Sequence, residues 1–256
     1  MREPLRPVSD DEGASARAAK TSLGARAQLA QLVGEGWASF SDVVPGSSVD
    51  ARAAAILILF GVLDDVPSVH DPRAHSGTVR DPRMAVSRDL DVLLLARATT
   101  LRAHPGQIAF PGGRVDPGDD GPVAAALREA REETGLDTDG VDVLGTLPPV
   151  PLDYSRHLVT PVIAWWARPS PVRVVDEAES ADVFRTPVAD LLDPARRATT
   201  VLRRDGREWR GPGFVVPHAA GSYLVWGFTA MVLDALFDRL GWTEPWDPSV
   251  EITLEP

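Results

Sequence analysis

The sequence predicts an α+β domain in which a mixed β-sheet lies between α-helices. Three observations lead to this prediction: continuous apolar runs typical of buried strands, segments with helical periodicity, and an order in which the two do not alternate regularly. Regular alternation would instead indicate a doubly wound parallel sheet.

The strand candidates are short runs rich in aliphatic or aromatic residues. They are Ala53–Leu63, Leu90–Ala98, 106–110, Val141–Thr146, Leu158–Ala167 and Val172–Val175, followed by a hairpin around Trp209 and Phe214. Helical spacing of apolar residues predicts helices over 21–36, 119–136, about 188–192 and 223–240. No internal repeat is present in the sequence.

The chain divides into four segments by composition. Residues 1–20 are polar without an apolar period and predict a disordered extension, and 21–45 predict an N-terminal helix that covers the fold. The main folded domain is expected over 46–245, with a C-terminal tail over 246–256. The long connection 64–89 is rich in Pro, Asp and Arg, as functional or mobile loops often are.

The charge balance and the apolar runs restrict the partners. With 26 Lys and Arg against 37 Asp and Glu, the net charge of −11 argues against nucleic acid or an anionic membrane surface. The longest apolar run has 11 residues, short of the ~20 that span a bilayer, and no secretory signal is evident, so we expect a cytoplasmic protein. The chain has no Cys, which excludes thiolate metal sites. The oligomeric state stays open, a homodimer included.

The helix predicted over 119–136 carries an unusual acidic face. Asp119 or Asp120 offers an N-cap, Pro122 suits the first turn and Gly135 suits the C-terminal cap. The last two turns hold three glutamates offset by three and four positions: Glu129, Glu132 and Glu133. Carboxylates repel one another at this spacing, and the helix dipole disfavours negative charge near the C-terminus by about 0.3–1 kcal/mol each.

A bound divalent cation would remove this repulsion. Carboxylates on one helical face suit a hard cation such as Mg²⁺, which needs one or two of them and completes its shell with water and substrate phosphate. Glu129 and Glu133 lie one turn apart and could share the ion, while Arg128 could pair with a glutamate and orient it. The alternative is a solvated charged face, the usual explanation for charge on a helix.

The segment from Gly113 to Leu136 resembles the Nudix box, G-x5-E-x7-R-E-U-x-E-E-x-G-U, in which U is aliphatic. Residues 128–136, Arg-Glu-Ala-Arg-Glu-Glu-Thr-Gly-Leu, match the second half. The first half is one residue longer than the pattern, and Asp119 or Asp120 stands where the pattern has Glu. The resemblance implies the Nudix fold and Mg²⁺- or Mn²⁺-dependent hydrolysis of a diphosphate. It also implies metal binding by Glu129 and Glu133, supported by Glu132, with Arg128 bonded to a glutamate.

Residues 93–113, which run from Leu-Leu-Leu-Ala-Arg to Phe-Pro-Gly-Gly, are similar to the signature of the coenzyme A diphosphatase branch of that family. Leu95 stands where the branch has Thr, and the longer box with Asp is also similar to the branch. The resemblance implies cleavage of coenzyme A to 4′-phosphopantetheine and adenosine 3′,5′-bisphosphate. The substrate-binding candidates are Arg97, Arg102, Gly112 and Gly113, although each arginine alone could be an ordinary surface residue.

Other interpretations remain open at this stage. The substrate could be another nucleoside diphosphate derivative, such as ADP-ribose or a dinucleotide, or the domain could bind a ligand without catalysis. The general base differs between Nudix families. Three acidic residues late in the chain, Glu177, Glu179 and Asp182, are candidates for a distal base or for a surface acidic turn.

Overall fold

The computed structural model describes residues 24–35, 51–62, 68–70, 86–101, 104–152, 155–204, 206–219 and 221–254. The predicted extension over 1–20, most of the 64–89 loop and Arg102 lie outside the described residues. No helix in the described ranges is long and apolar enough to cross a membrane.

Eight strands of the described chain form the main sheet, which mixes parallel and antiparallel pairs. They are β1 (Arg52–Val62), β2 (Leu90–Arg97), β3 (Ile108–Ala109), β4 (Gly112–Arg114), β5 (Val141–Thr146), β6 (Val150–Leu152), β7 (His157–Trp166) and β8 (Ser180–Pro187). The central strand β1 pairs in parallel with β7 along its length, and antiparallel with both β2 and β4 on its other side. The strand β3 joins β2, so the segment from β3 to β4 crosses between β2 and β1.

Four α-helices accompany the sheet in the described chain: α1 (24–35), α2 (Gly121–Thr134), α3 (Val188–Leu192) and α4 (Gly227–Arg239). One face of β1 and its neighbours packs against the alanines of α2, and Ala125, Ala126 and Ala130 are buried there. The opposite face packs against α1, α3 and α4. The predicted α+β class, with a mixed sheet between helices, is confirmed.

A second sheet of the described residues packs on the face opposite α2, in the order β11-β10-β9-β12. Its strands are β9 (Arg197–Arg204), β10 (Arg207–His218), β11 (Gly221–Val225) and β12 (Glu251–Leu254). The hairpin predicted around Trp209 and Phe214 is confirmed as β9–β10. The strand β12 lies inside the segment that the sequence assigns to a tail, and it pairs in parallel with β9.

Two of the predicted elements are wrong in part. The strand expected over Val172–Val175 is absent from the structure, because Pro169 and Pro171 beside it cannot donate the backbone hydrogen bonds of a ladder. The helix expected from residue 223 begins only at Gly227, which has a φ of 63°. Residues before it continue the second sheet as β11, because they pair with β10.

Candidate active site

The helix α2 presents the acidic residues at its C-terminal end, as the sequence predicts. The helix ends at Thr134, and Gly135 adopts the left-handed conformation with a φ of 69°, donating its N–H to the carbonyl of Arg131. The buried face consists of small residues, which allows close packing on β1. Glu129 and Glu133 lie against β4, the short strand that pairs with β1.

Arg128 holds the acidic side chains of this site together. Its guanidinium donates to both carboxylate oxygens of Asp119 at 2.9 Å, and to Glu129 and Glu132 at 3.0 Å each. It also donates to the backbone carbonyl of Arg114 at 3.0 Å. The two-pronged pair with Asp119 is the geometry in which guanidinium and carboxylate bind most strongly. Its hydrogen bond with Asp119, and then that with Glu129, raise the pKa of Arg128.

The structure distinguishes between the two aspartates that the sequence left open. Asp119 has a carboxylate that is 7% exposed, and its hydrogen bond with Arg128 lowers its pKa. It also accepts the backbone N–H of Asp116 at 2.8 Å. Asp120 occupies the N-cap position of α2 but makes no capping hydrogen bond with its side chain. Asp119 is therefore the partner of Arg128.

Glu133 is the most strongly perturbed acid of the site. Its carboxylate accepts the backbone N–H of Gly112 at 2.9 Å. Burial raises the pKa of Glu133 to about 7, against the lowering effect of that hydrogen bond, and the nearby charge of Glu129 raises it further. A cation beside such a carboxylate would favour its ionised form.

Glu129 lies directly against the backbone of β4. A Cβ atom on Gly113 would collide with the carboxylate of Glu129, so a larger residue there would displace this side chain from its position against β4. Burial raises the pKa of Glu129, while Arg128 lowers it. The structure places the two glycines predicted to bind substrate against the glutamates: Gly112 donates to Glu133, and Gly113 makes space for Glu129.

Glu132 occupies a different position from the other two glutamates. Its side chain is 58% exposed and pairs with Arg128 across one helical turn. It therefore shares Arg128 with Glu129 and Asp119 at the outer rim of the site. Sequence reasoning expects Glu132 to support the metal ligands, and through Arg128 it contacts the same network.

Two further charges act on the pKa of Glu133. Arg97, at the end of β2, lowers the pKa of Glu133, and Glu179, just before β8, raises it. A backbone hydrogen bond holds the two residues close to each other, because Ala98, next to Arg97, donates its N–H to the carbonyl of Glu179 at 2.9 Å. The Nε of Arg97 is buried, and within the described ranges it has no hydrogen-bond partner. Such a donor is suited to a ligand oxygen.

The three acidic residues proposed as a distal base separate in the structure. Only Glu179 lies near Glu133. Glu177 lies in the same exposed turn as Glu179, over residues 177–179, and its charge is not among the causes of the shift in the pKa of Glu133. Asp182 faces the second sheet, where its carboxylate accepts the hydroxyl of Tyr223 at 3.0 Å and contacts His218 at 2.9 Å. Neither of the last two extends the acidic site.

The donor set fits a divalent cation with few protein ligands. Among the described residues no group of three or more His, Asp or Glu side chains is arranged as a metal cluster. On α2, burial raises the pKa values of Glu129 and Glu133. Mg²⁺ commonly uses one or two protein carboxylates and keeps several waters. The two carboxylates could bind the cation, and the Nε of Arg97 could donate to an oxygen of a substrate phosphate bound to the same cation.

Comparisons with known proteins identify the family of this chain. The NUDIX domain family matches residues 78–204. The chain is 41% identical over 150 residues to the "Uncharacterized Nudix hydrolase NudL" of Cronobacter sakazakii and 39% identical to that of Escherichia coli, covering in each case 59% of this chain and 75% of the relative. Among solved structures it is similar to the Nudix hydrolase RenU of M. smegmatis, with a TM-score of 0.46 and 18% identity, covering 77% of this chain and 90% of that one.

The fold and the acidic helix define a hydrolase of pyrophosphate bonds. The chain belongs to the Nudix family. Nudix enzymes generally use divalent metal cations and act on small-molecule substrates, as the sequence predicts for this chain.

Proposed function

We propose that this chain hydrolyses the diphosphate of coenzyme A, or of its acylated derivatives, with Mg²⁺ or Mn²⁺. The observation that carries this proposal is the segment 93–113, whose sequence is similar to the coenzyme A diphosphatase signature. Both ends of the segment lie at the acidic helix, because Arg97 faces Glu133 and Gly112 donates to the same carboxylate. The feature that sets this branch apart in sequence is therefore adjacent to the candidate metal ligands.

The proposed metal ligands are Glu129 and Glu133. Bound there, the cation would polarise a phosphoryl oxygen, offset the charge of the diphosphate and lower the pKa of an attacking water. Glu132 supports them through Arg128, which it contacts at 3.0 Å. The backbone of Gly112 and the space left by Gly113 hold the two ligands against β4.

Arg97 is the proposed contact to the diphosphate. Its guanidinium lies beside Glu133 with a buried Nε that is unpartnered within the described ranges. A guanidinium binds two phosphate oxygens at once, so it can fix the orientation of the diphosphate relative to α2. Arg102, the second predicted arginine, lies outside the described residues and stays a prediction.

Glu179 is the proposed general base, because it is the acidic residue outside α2 that faces Glu133. Glu179 lies just before β8, and its backbone carbonyl accepts the N–H of Ala98 next to the end of β2, the strand that also positions Arg97. A carboxylate in that place can accept the proton of the water that attacks phosphorus. The products would be 4′-phosphopantetheine and adenosine 3′,5′-bisphosphate, with one oxygen from water and two protons released.

A direct test is to incubate the protein with Mg²⁺ or Mn²⁺ and coenzyme A, and to identify the products by mass spectrometry. In ¹⁸O-water one product should gain a single ¹⁸O atom. Failure to cleave coenzyme A and its thioesters, together with cleavage of ADP-ribose or a dinucleotide, would refute the proposed substrate and retain the reaction class. The cytoplasmic location and a homodimer remain predictions of the sequence.

A further inference from the structure

A cluster of basic residues lies on the other side of β4 from the glutamates. Arg52, at the start of β1, is the direct neighbour of His157 at the start of β7. Arg114, at the end of β4, pairs with Ala54, two residues further along β1. Residues directly opposite or two apart on paired strands share a face of the sheet, so the three side chains project from the same face.

This face is opposite the one covered by α2. Helix α2 packs on Ala55 and Leu57, which alternate with Arg52 and Ala54 along β1. The separation between the cluster and the metal ligands is nevertheless small. Gly113 contacts Glu129, and the next residue, Arg114, has its carbonyl bound by Arg128.

The two arginines of this cluster place positive charge on the surface. Neither Arg52 nor Arg114 forms an ion pair with any carboxylate in the part of the chain that the structure describes, and both are exposed. This is unexpected in a chain with 37 Asp and Glu and 26 Lys and Arg. Burial lowers the pKa of the half-buried His157, and the charges of Arg114 and Arg52 lower it further. Burial and the two arginines therefore disfavour a proton on the imidazole.

We propose that Arg52, Arg114 and His157 bind a phosphomonoester on the nucleotide half of the substrate, separate from the diphosphate that is cleaved. Two guanidinium groups and an imidazole supply the donors that a phosphomonoester dianion needs. This inference rests on the proposed function, because coenzyme A carries a 3′-phosphate on the same ribose whose 5′ position bears the diphosphate. The alternative, in which the two arginines are merely solvated, predicts no dependence on that phosphate.

The kinetic test compares coenzyme A with dephospho-coenzyme A, which differs only in lacking the 3′-phosphate. The double variant R52Q/R114Q should lose about 10- to 100-fold in kcat/KM for coenzyme A, mainly through KM, because two charge-assisted contacts are removed. Its kcat/KM for dephospho-coenzyme A should stay within about twofold of the unmodified protein's. Arg239→Gln, an exposed arginine at the end of α4, is the matched control and should leave both values unchanged. Equal losses on the two substrates, or no loss on either, would overturn the proposal.

A second measurement does not depend on turnover. In metal-free protein, the ¹H NMR titration of the His157 ring, assigned with His157→Gln, should show that millimolar inorganic phosphate raises the pKa of His157. In R52Q/R114Q this rise should disappear. An unchanged His157 titration in the unmodified protein would refute the site. If neither coenzyme A compound is cleaved, the proposed function fails, whereas a phosphate-dependent rise in this pKa would still establish the anion site.

Discussion

Replacing Glu133 with Gln should abolish turnover and at the same time stabilise the metal-free protein. In the unmodified protein the N–H of Gly112 donates to the Glu133 carboxylate at 2.9 Å. Gln keeps the shape of the side chain and an oxygen that can accept the same hydrogen bond. It removes a charge that burial disfavours, since the pKa of Glu133 is raised from 4.5 to about 7. The fold should therefore gain free energy of unfolding while the proposed metal site loses a ligand.

The shift in the pKa of Glu133 sets the size and the pH range of this effect. Each pKa unit corresponds to about 1.4 kcal/mol, so the full shift gives an upper bound of about 3 kcal/mol, and partial solvation reduces it to about 1–3 kcal/mol. Below pH 4.5 the carboxyl is protonated in both the folded and unfolded states, and the penalty vanishes. As the pH rises toward 7, only the unfolded state releases the proton, so the penalty grows and is complete above that pH.

Urea denaturation of metal-free protein at pH 8 and pH 4.5 measures this difference. We expect E133Q to be more stable at pH 8 by about 1–3 kcal/mol and within about 0.5 kcal/mol of the unmodified protein at pH 4.5, where the Glu133 carboxyl is half ionised in the unfolded state. Added Mg²⁺ should stabilise the unmodified protein and not the variant, because a ligand that binds only the folded state shifts the unfolding equilibrium. A variant that is less stable at pH 8, or one that retains turnover, would refute the assignment of Glu133 as a buried metal ligand.

Three further substitutions test the rest of the site. Gly113→Ala should lower kcat by at least about tenfold, because the Cβ of the new alanine would displace the carboxylate of Glu129 from its position against β4. Arg128→Ala should weaken activation by Mg²⁺, measured as a higher metal concentration for half-maximal rate, and an unchanged value would exclude its orienting role. Glu179→Gln should lower kcat by about 10²–10⁴-fold without raising KM, as expected for a general base. The neighbouring Glu177→Gln is its matched control and should leave kcat unchanged, and equal effects of the two would remove the case for Glu179.

The parts of the site that lie close together in sequence could be predicted from it. The helix α2 has local signals at both ends, Pro122 and Gly135, and its structure runs from Gly121 to Thr134. The glutamates sit on this one helix, so their spacing alone brings them together. The sequence could not predict which of Asp119 and Asp120 pairs with Arg128. The turn before α2, in which Gly121 has a φ of 80°, determines which side chain reaches the guanidinium.

Features that depend on strand pairing were beyond the sequence. Glu179 faces Glu133 only because β8 pairs with β2, and nothing near Glu179 in sequence distinguishes it from Glu177. The basic cluster likewise joins residues from β1, β4 and β7. The second sheet was missed as a unit, since β12 pairs with β9 from a segment far along the chain.

The measurement that tests the central claim most directly is product analysis with coenzyme A, performed on the unmodified protein and on E133Q in parallel. We predict that the unmodified protein converts coenzyme A, in the presence of Mg²⁺ or Mn²⁺, to 4′-phosphopantetheine and adenosine 3′,5′-bisphosphate, and that E133Q yields neither. Intact coenzyme A after incubation with the unmodified protein, under conditions in which another nucleoside diphosphate derivative is cleaved, would contradict the proposed function.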